Sequence, residues 1–309
     1  MTLQQLKYIV TIDKYRHFGK AAEACELTQS TLSLMVKKLE EELDVIIFDR
    51  SIHPVEPTEM GRKIIDQAKI VLYNADQIVE MAAKEKEILS GPLKIALIST
   101  VAPTLVPGLF KYIGTHHPDI QMQTQEMLTD TIQDRLHKAE VDIGIVTAPV
   151  NDPELLEIPL WTEHFLAYVS ESHPLFQMES IPTDLLIGRH LWIMKDGVKQ
   201  WKVPSLPLNY YGSYEHFFEG GRIGTLIQIV DENGGLTIIP ETHVMNVAQH
   251  RHRNLRPLTG QKAPERTISL IIRRDYIHEA ILNSVIQAIR TVVPKALSSP
   301  VIQQDYIHL

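Results

Sequence analysis

The chain has a single cysteine, Cys25, in 309 residues, and this scarcity excludes several kinds of site. One thiol can neither close an intrachain disulfide nor form a cysteine-based zinc site by itself. Because Cys25 lies in the alanine-rich stretch 21–25, we expect it to be a small, buried core residue. No metal site is expected, since the histidines at 116–117 and 250–252 have no carboxylate or cysteine at ligand spacing.

Long apolar runs are also missing, and no stretch approaches the roughly 18 consecutive apolar residues of a transmembrane helix. The first residues, MTLQQLK, show neither the basic start nor the apolar block of a signal peptide. We therefore expect a cytoplasmic protein with no membrane partner. The sequence shows no G-x-S-x-G, P-loop or dinucleotide fingerprint, so we predict neither an enzyme nor a bound cofactor.

Basic residues are in deficit, with 30 Lys and Arg against 38 Asp and Glu and a net charge of −8. Even residues 1–60 hold only seven basic side chains against ten acidic ones. Bulk charge would therefore not attract DNA, although a local basic stripe can still neutralise phosphates. If this end of the chain binds DNA, it must do so through the placement of a few side chains and through dimerisation.

The first 60 residues have the pattern of a winged helix-turn-helix. Apolar residues at helical spacing predict helices over 2–14 and 18–24. Thr28 can cap a third helix, whose buried face is predicted to consist of Leu32, Val36, Leu39 and Leu43. Two short strands, at 46–48 and 55–57, would form the wing.

The exposed side of the third helix and the wing provide candidate DNA contacts. Hydroxyl and amide groups can bond base edges or phosphates, and basic groups contact the backbone or the minor groove. The candidates are Gln29, Ser30, Thr31, Ser33 and Lys37 on the helix, and Arg50, Ser51 and His53 on the wing.

A long helix is predicted from Thr58, its N-cap, to about Leu89. Its apolar residues recur about every 3.5 positions, which favours pairing with a second copy of the helix or docking on the wing domain. These residues are Ile64, Ala68, Val71, Ala75, Ile78 and Ala82.

From Leu93 onward, strand patterns alternate with helical ones, which predicts parallel α/β sheets. The predicted strands are 93–98, 120–126, 142–146, 165–169, 191–194, 236–239 and 267–272. The predicted helices are 104–115, 129–139, 222–233 and 276–292. About 200 residues is long for one small sheet, so we expect two subdomains joined by crossover strands near 161 and 266.

Several polar residues follow these strands or begin these helices. Hydroxyls and free helix N-termini around one site suit a small anion or polar ligand, although ordinary helix capping uses the same residues. The candidate ligand-binding residues are Ser99, Thr100, Thr129, Thr147, Lys195, Lys199 and Thr225.

An ordered set of motifs resembles the LysR-type transcriptional regulators: HFGKAA (17–22), TQSTLS (28–33), KLEEEL (38–43), FDR (48–50) and PTEMG (57–61). Further along, LSGPL (89–93), TVAP (100–103) and GGLTIIP (234–240) resemble the peroxide-sensing OxyR branch of that family. The resemblance implies an all-α winged helix-turn-helix domain, a dimerising linker helix and an α/β periplasmic-binding-protein-like effector domain of two subdomains. It also implies assembly as a tetramer.

The sequence departs from that branch at the positions of its reactive cysteines. A reactive cysteine follows an Asp-Gly pair in the branch, whereas here Asp196-Gly197 is followed by Val198-Lys199. Lys199 stands at the place of the thiol and no second cysteine exists, so sulfenate and disulfide chemistry are excluded there. Lys199 would either attract an anion or hold one state by its fixed charge. In the DNA domain, Asp44 replaces the usual turn glycine and Leu34 a more polar residue.

The expected domains are residues 1–58 for DNA binding, 59–90 for the linker helix and 91–294 for the effector domain, followed by a tail at 295–309. Subdomain I comprises 91–161 and 266–294, and subdomain II comprises 162–265.

We expect a sequence-specific transcription regulator that senses a small ligand. The alternatives are an oxidative-stress regulator without the cysteine switch and, less consistent with a DNA domain, a solute-binding transport component. The expected partners are double-stranded operator DNA, a small-molecule effector, further copies in a homodimer or homotetramer, and RNA polymerase if the protein activates.

Overall fold

A computed structural model describes residues 1–83, 89–186, 190–194, 217–218, 222–260, 264–300 and 303. Two compact units divide the chain. One comprises Met1–Ile88 with His137–Glu140, and the other comprises Leu89–Leu136 with Val141–Leu309. Across the described residues, no helix combines the length and apolarity needed to span a membrane.

Three helices surround one apolar core in the first unit: α1 (Leu3–Tyr15), α2 (Phe18–Ala24) and α3 (Gln29–Leu43). A side chain caps the start of each helix, because Thr2, His17 and Thr28 accept hydrogen bonds from backbone N–H groups of the following turn. Apolar side chains of all three helices form this core, which includes most of the apolar face predicted for α3. Its members include Leu6, Ile9, Ile12, Ala21, Ala22, Leu32, Val36 and Leu39.

One predicted member of the α3 face is wrong, since Leu43 is 36% exposed. The reason lies in the next residue, because Asp44 adopts φ 53° and ends the helix there. Asp tolerates this left-handed conformation better than most residues with a side chain, so it can stand where a glycine is usual. The turn between α2 and α3 contains a second such residue, Glu26, at φ 56°.

The wing consists of β1 (Phe48–Asp49) and β2 (Glu56–Pro57), which pair antiparallel. Helix α4 (Glu59–Ala83) follows. The Thr58 hydroxyl accepts from the Gly61 N–H at 2.9 Å and donates to the Ile46 carbonyl at 2.7 Å. Thr58 therefore caps α4 as predicted and ties it to the wing. The helix is described as far as Ala83, and the predicted end at about Leu89 follows residues 84–88, which lie outside the described residues.

Gly61 lets α4 approach the wing closely, and we predict that Gly61→Ala destabilises the first unit by about 1–3 kcal/mol through overpacking. A Cβ on Gly61 would lie 2.0 Å from the backbone oxygen of Ile47, so backbone must move. Hydrogen exchange of the amides in α1–α3 measures the effect. Gly114→Ala is the control, because its Cβ would meet no described atom within 4 Å. Equal protection in both variants would contradict the prediction.

The second unit alternates strands and helices. Its strands are β3 (Gly91–Leu97), β4 (Ile120–Glu126), β5 (Ile143–Thr147), β6 (Leu155–Val169), β7 (Ile181–Pro182), β8 (Leu191–Met194), β9 (Phe217–Phe218), β10 (Leu236–Pro240), β11 (Leu255–Thr259) and β12 (Glu265–Arg273). Its helices are α5 (Ala102–His116), α6 (Thr129–His137), α7 (Ile223–Asn233) and α8 (Glu279–Val292). Short 3-10 helices include Glu241–Asn246 and Gln249–Asn254.

The strand order among the described residues is β4-β3-β5-β12-β6-β10-β8-β9, with β11 on β6 and β7 on β11. The expectation of parallel sheets is only partly right. Pairs β3–β4, β3–β5, β8–β10 and β8–β9 are parallel, whereas β12 and β6 run antiparallel to each other and to their other neighbours. The cause is that β6 and β12 are crossover strands, which carry the chain from one part of the unit to the other and back.

Two hydrophobic cores lie in this unit. One gathers apolar side chains from β3–β5, α5, α6 and α8, and the other gathers them from β8, β10 and α7. Strand β6 contributes to both, with Leu155 and Trp161 in the first and Phe165 and Val169 in the second. A β6 of 15 residues is three times the predicted strand 165–169, and it joins the two cores.

Candidate nucleic-acid interface and effector site

The predicted DNA-contacting residues of α3 lie on its first three turns. Gln29 and Ser30 are exposed, and Thr31 and Ser33 are partly exposed. Lys37 has 63% of its side chain exposed and lies 3.6 Å from Glu41. These side chains are therefore wholly or partly open to solvent, and the apolar side of the same helix faces the core.

The wing residue Arg50 bends back onto α3. Its Nη1 donates to Ser33 Oγ at 3.1 Å and its Nη2 donates to Glu40 Oε2 at 2.9 Å. The guanidinium carbon also lies 5.1 Å from the centre of the Phe18 ring. Two of the predicted DNA-contacting residues, Ser33 and Arg50, are thus brought together, with 40% of the Arg50 side chain exposed.

Glu40 holds this arrangement together and was not predicted. Its Oε1 accepts from the backbone N–H groups of Ile47 at 2.8 Å and Phe48 at 3.2 Å, while its Oε2 accepts from Arg50. One carboxylate therefore fixes the start of β1 and orients the wing arginine. The sequence spacing could have indicated this role, because Glu40 lies seven residues after Ser33 and therefore on the same face of the helix.

Two hydrogen bonds from Ser51 stabilise the wing turn. Its N–H and its hydroxyl both donate to Asp49 Oδ1, at 2.9 and 2.6 Å. The hydroxyl bond, and then the backbone bond, lower the pKa of Asp49 below its usual range. Ser51 therefore shapes the turn, and His53 is exposed beside it. The Arg16 carbonyl accepts from the Val55 N–H at 3.1 Å, which anchors the wing to the end of α1.

The predicted ligand-binding residues of the second unit differ in burial. Thr100, in the turn after β3, is fully buried, and Thr147, the last residue of β5, is 2% exposed. Ser99 and Thr129, the first residue of α6, are partly exposed. Thr225 lies in the first turn of α7 and lines a cavity with Arg222 and Gln228. Lys195 and Lys199 lie outside the described residues.

A buried ion pair joins β6 to β12, where Glu163 and Arg266 stand opposite each other. Arg266 Nε donates to Glu163 Oε1 at 2.8 Å, and Arg266 Nη1 donates to Thr100 Oγ1 at 2.9 Å. Glu163 Oε2 accepts from the N–H of Thr242 at 2.9 Å and from its hydroxyl. Both charged side chains are at most 1% exposed. The pair therefore connects both crossover strands with the turn after β3 and the loop after β10.

Polar atoms without a hydrogen-bond partner surround this pair. Among the described residues, Thr147 Oγ1, His243 Nδ1 and Arg266 Nη2 are buried and unsatisfied. Arg266 Nη2 lies 2.8 Å from Glu163 Oε1 within the ion pair and has no further polar partner among the described residues. A buried polar group left unpaired costs about 1–3 kcal/mol, so each atom favours a ligand or water that would satisfy it.

The strand register places Thr147 and Arg266 on one face of the sheet. Thr147 pairs with Ile268, two residues after Arg266 on β12, so the Thr147 and Arg266 side chains point the same way, roughly 7–8 Å apart as diagonal neighbours. Burial, and then the Arg266 charge, lower the pKa of His243 to about 4, while Glu163 opposes the shift. His243 is therefore neutral at physiological pH. We call Thr100, Thr147, Glu163, His243 and Arg266 the buried polar cluster.

The candidates named from the sequence include Thr100 and Thr147 of this cluster but not Glu163, His243 or Arg266. The three were not expected in a buried site, because Glu and Arg are almost never fully buried unless paired. The available signal was their position, because Glu163 and Arg266 both lie where crossover strands were expected, near 161 and 266.

Two family models match the chain. The bacterial regulatory helix-turn-helix protein, lysR family, matches residues 3–62, and the LysR substrate binding domain matches residues 86–294.

Relatives and solved structures extend the similarity over most of the chain. The hydrogen peroxide-inducible genes activator of Haemophilus influenzae is 32% identical over 277 residues, covering 88% of this chain and 91% of the relative. The DNA-binding transcriptional dual regulator OxyR of Escherichia coli is 30% identical over 281 residues, covering 88% and 90%. A full-length OxyR variant from Pseudomonas aeruginosa superposes with a TM-score of 0.81 and 30% identity, covering 97% and 98% of the two chains.

Proposed function

The chain belongs to the LysR family of DNA-binding transcriptional regulators with a ligand-binding domain, and on that premise we propose that a small, oxygen-bearing polar molecule is its effector. It binds without covalent chemistry at the buried polar cluster. The observation that carries this proposal is the set of three unsatisfied atoms, Thr147 Oγ1, His243 Nδ1 and Arg266 Nη2. A ligand with two or more oxygens would accept or donate hydrogen bonds at all three.

The charge balance of the cluster supports a ligand without net charge. Glu163 already lies against Arg266, so an incoming anion would meet a nearby carboxylate as well as the cation. His243 adds no positive charge, because its pKa is lowered to about 4. Hydrogen bonding, in place of net charge, would therefore select the ligand. Ser99 and Thr129 are proposed as peripheral contacts.

Hydrogen peroxide is the second candidate effector, because relatives of this chain are described as hydrogen peroxide-inducible activators. It is small, neutral and carries two oxygens, so it would suit the same cluster. A thiol mechanism would have to use Cys25, the chain's one cysteine, which is partly buried at the end of α2. We propose direct binding, with no catalytic activity.

The proposed partners are an operator duplex and further copies of this chain. Gln29, Ser30, Thr31, Ser33, Lys37, Arg50, Ser51 and His53 form the proposed DNA-binding set. Residues 1–58, 59–90 and 91–294 are the proposed DNA-binding, linker and effector domains, and the cytoplasm is the proposed location. A homodimer or homotetramer through α4 is supported by Ile78, which is 69% exposed on that helix.

Thr147→Val is expected to raise the stability of the unliganded protein and to weaken effector binding. Removing a buried hydroxyl that has no partner is expected to stabilise the unliganded protein by about 1 kcal/mol. The same change is expected to weaken effector binding about tenfold, since one hydrogen bond to the ligand is lost. The measurement is thermal unfolding of the full chain, alone and with a panel containing hydrogen peroxide, acetate and glycerol at constant ionic strength.

Thr237→Val is the matched control, because Thr237 is equally buried but its hydroxyl donates to the Trp192 carbonyl at 2.9 Å. This variant should lose stability and keep the shift that the panel compound causes. Cys25→Ser should leave any peroxide-induced shift unchanged. If Thr147→Val is destabilised, or responds to the panel as the parent chain does, the effector site lies elsewhere.

A further inference from the structure

Leu34 is a large apolar side chain on the outward face of α3. It is 51% exposed, whereas Leu32 and Val36, two residues to either side of it, are buried. Because an α-helix turns by about 100° per residue, Leu34 points roughly away from the core. Ser30 and Lys37, one turn before it and one turn after it, are exposed on the same side. Leu34 therefore lies in the middle of the surface proposed for DNA.

Polar side chains surround Leu34 on the helix. Its neighbours at three and four residues are Ser30, Thr31, Lys37 and Lys38. Surfaces that bind another protein through apolar contact are contiguous apolar patches, and these neighbours leave Leu34 isolated. An isolated apolar side chain suits a partner that presents a single apolar group among hydrogen-bonding groups. The two lysines suit a partner that is also negatively charged.

The major groove of duplex DNA is a partner of this kind. It admits an α-helix, and its base edges present hydrogen-bond donors and acceptors together with one apolar group, the C5-methyl of thymine. The phosphates along the groove carry the negative charge that Lys37 and Lys38 would meet. The Leu34 side chain has no polar atom, so the thymine methyl is the base feature that it can contact favourably.

The hydroxyl groups beside Leu34 are hydrogen-bonded within the protein. Ser30 Oγ and Thr31 Oγ1 lie 3.0 and 2.8 Å from Thr28 Oγ1. A hydroxyl both donates and accepts, so these groups can bond several base edges and distinguish the bases poorly. Contact between Leu34 and a methyl group would distinguish thymine from the other three bases. The base preference at this place on the helix therefore depends on Leu34 more than on the hydroxyls.

We propose that Leu34 is a specificity-determining residue, which packs against the C5-methyl of a thymine in the major groove of the operator. This inference rests on the proposed DNA-binding surface and adds a base preference to it. The contact needs no hydrogen bond, because it removes two apolar groups from water. Burying one methyl group in this way contributes about a fourfold gain in affinity.

Titration of the full chain with an operator fragment selected from random duplex DNA tests the proposal. Each thymine of the fragment is replaced in turn by deoxyuridine, which lacks only the C5-methyl. For the parent chain, at least one replacement should weaken binding about fourfold. Leu34→Gln should bind the thymine and deoxyuridine forms of that position equally, because its amide loses hydrogen bonds to water when it is buried against a methyl group.

Two further variants serve as controls. Leu34→Met should keep the dependence on the methyl group, because methionine is apolar and similar in size. Leu3→Gln should bind and discriminate as the parent chain does, since Leu3 is also 51% exposed but lies on α1. Thermal unfolding checks that the variants are folded, which is expected because both positions are exposed and Gln and Met favour helices.

The outcomes separate this inference from the proposed function. If the parent chain selects no DNA sequence, the proposed DNA-binding surface is wrong and the role of Leu34 is wrong with it. If the parent chain binds its operator but no thymine responds to loss of its methyl, Leu34 does not read thymine, although the surface stands. The same conclusion follows if Leu34→Gln keeps the response of the parent chain.

Discussion

Glu163→Gln is expected to lower the free energy of unfolding of the second unit by about 3–5 kcal/mol, because it leaves the Arg266 charge buried without its counter-charge. The variant keeps the size of the side chain and one carbonyl oxygen, so packing changes little. The loss comes from electrostatics, since Arg266 and Glu163 are both at most 1% exposed and no water can replace the carboxylate cheaply.

Tryptophan fluorescence during urea unfolding measures this loss. Trp161 and Trp192 lie in the second unit and the first unit has no tryptophan, so the emission does not report on the first unit. Trp161 is fully buried on β6, two residues from Glu163. Arg253→Gln, which breaks an exposed ion pair with Glu171, should cost less than about 1 kcal/mol.

A double variant distinguishes lost charge balance from lost packing. Glu163→Gln combined with Arg266→Met removes both buried charges, so it is expected to be more stable than Glu163→Gln alone. If the double variant is the less stable of the two, packing or the bond to Thr100 dominates, and the ion pair is not the source of the effect.

The ion pair between Glu163 and Arg266 could not be predicted from the sequence. Periodicity located most helices and strands, because it records which side of an element is buried. It did not extend β6 through 155–164, since Pro159 and Glu163 interrupt the apolar pattern of that strand. A buried charge is stabilised by a partner about 100 residues away, here Arg266, and no local pattern contains that pairing. Hydroxyls at strand ends can be named as candidate ligand contacts from the sequence, because the topology of α/β folds puts ligands there.

The DNA-binding unit was more predictable. Its helices are short, consecutive and capped by residues visible in the sequence, so Phe18–Ala24 was placed at the bounds observed. The candidate face was selected as the side opposite the apolar stripe, which needs only the helical period. What the period could not provide was the link between α3 and the wing, because the Glu40 and Arg50 contact depends on how the chain returns after β1.

Arg50→Gln is expected to weaken operator binding about tenfold or more, and to reduce the slope of log K against log salt by about one per DNA-binding domain. Arg50 is fixed before DNA arrives by Ser33, Glu40 and the Phe18 ring, so little side-chain entropy is lost on binding. Its charge matters in a region where acidic residues outnumber basic ones.

Arg50→Lys separates charge from geometry. Lysine keeps the salt slope but cannot bond Ser33 and Glu40 in one plane, so affinity should fall while the slope remains. An operator fragment selected from random duplex DNA, titrated at several salt concentrations, provides both quantities. Lys37→Ala should lower the slope as Arg50→Gln does, because Lys37 is exposed on the same helix. Ser33→Ala should weaken binding without changing the slope, since a hydroxyl releases no counterion.

Arg253→Gln removes the same charge from the second unit and should bind the operator as the parent chain does, with the same slope. If it weakens binding as much as Arg50→Gln, net charge governs affinity and the α3–wing surface is not the interface. If Ser33→Ala, Lys37→Ala and Arg50→Gln all bind normally, the face opposite the α3 core does not read DNA. If, of the four variants, only these three lose operator affinity, the positions of a few side chains compensate for the chain's excess of acidic residues.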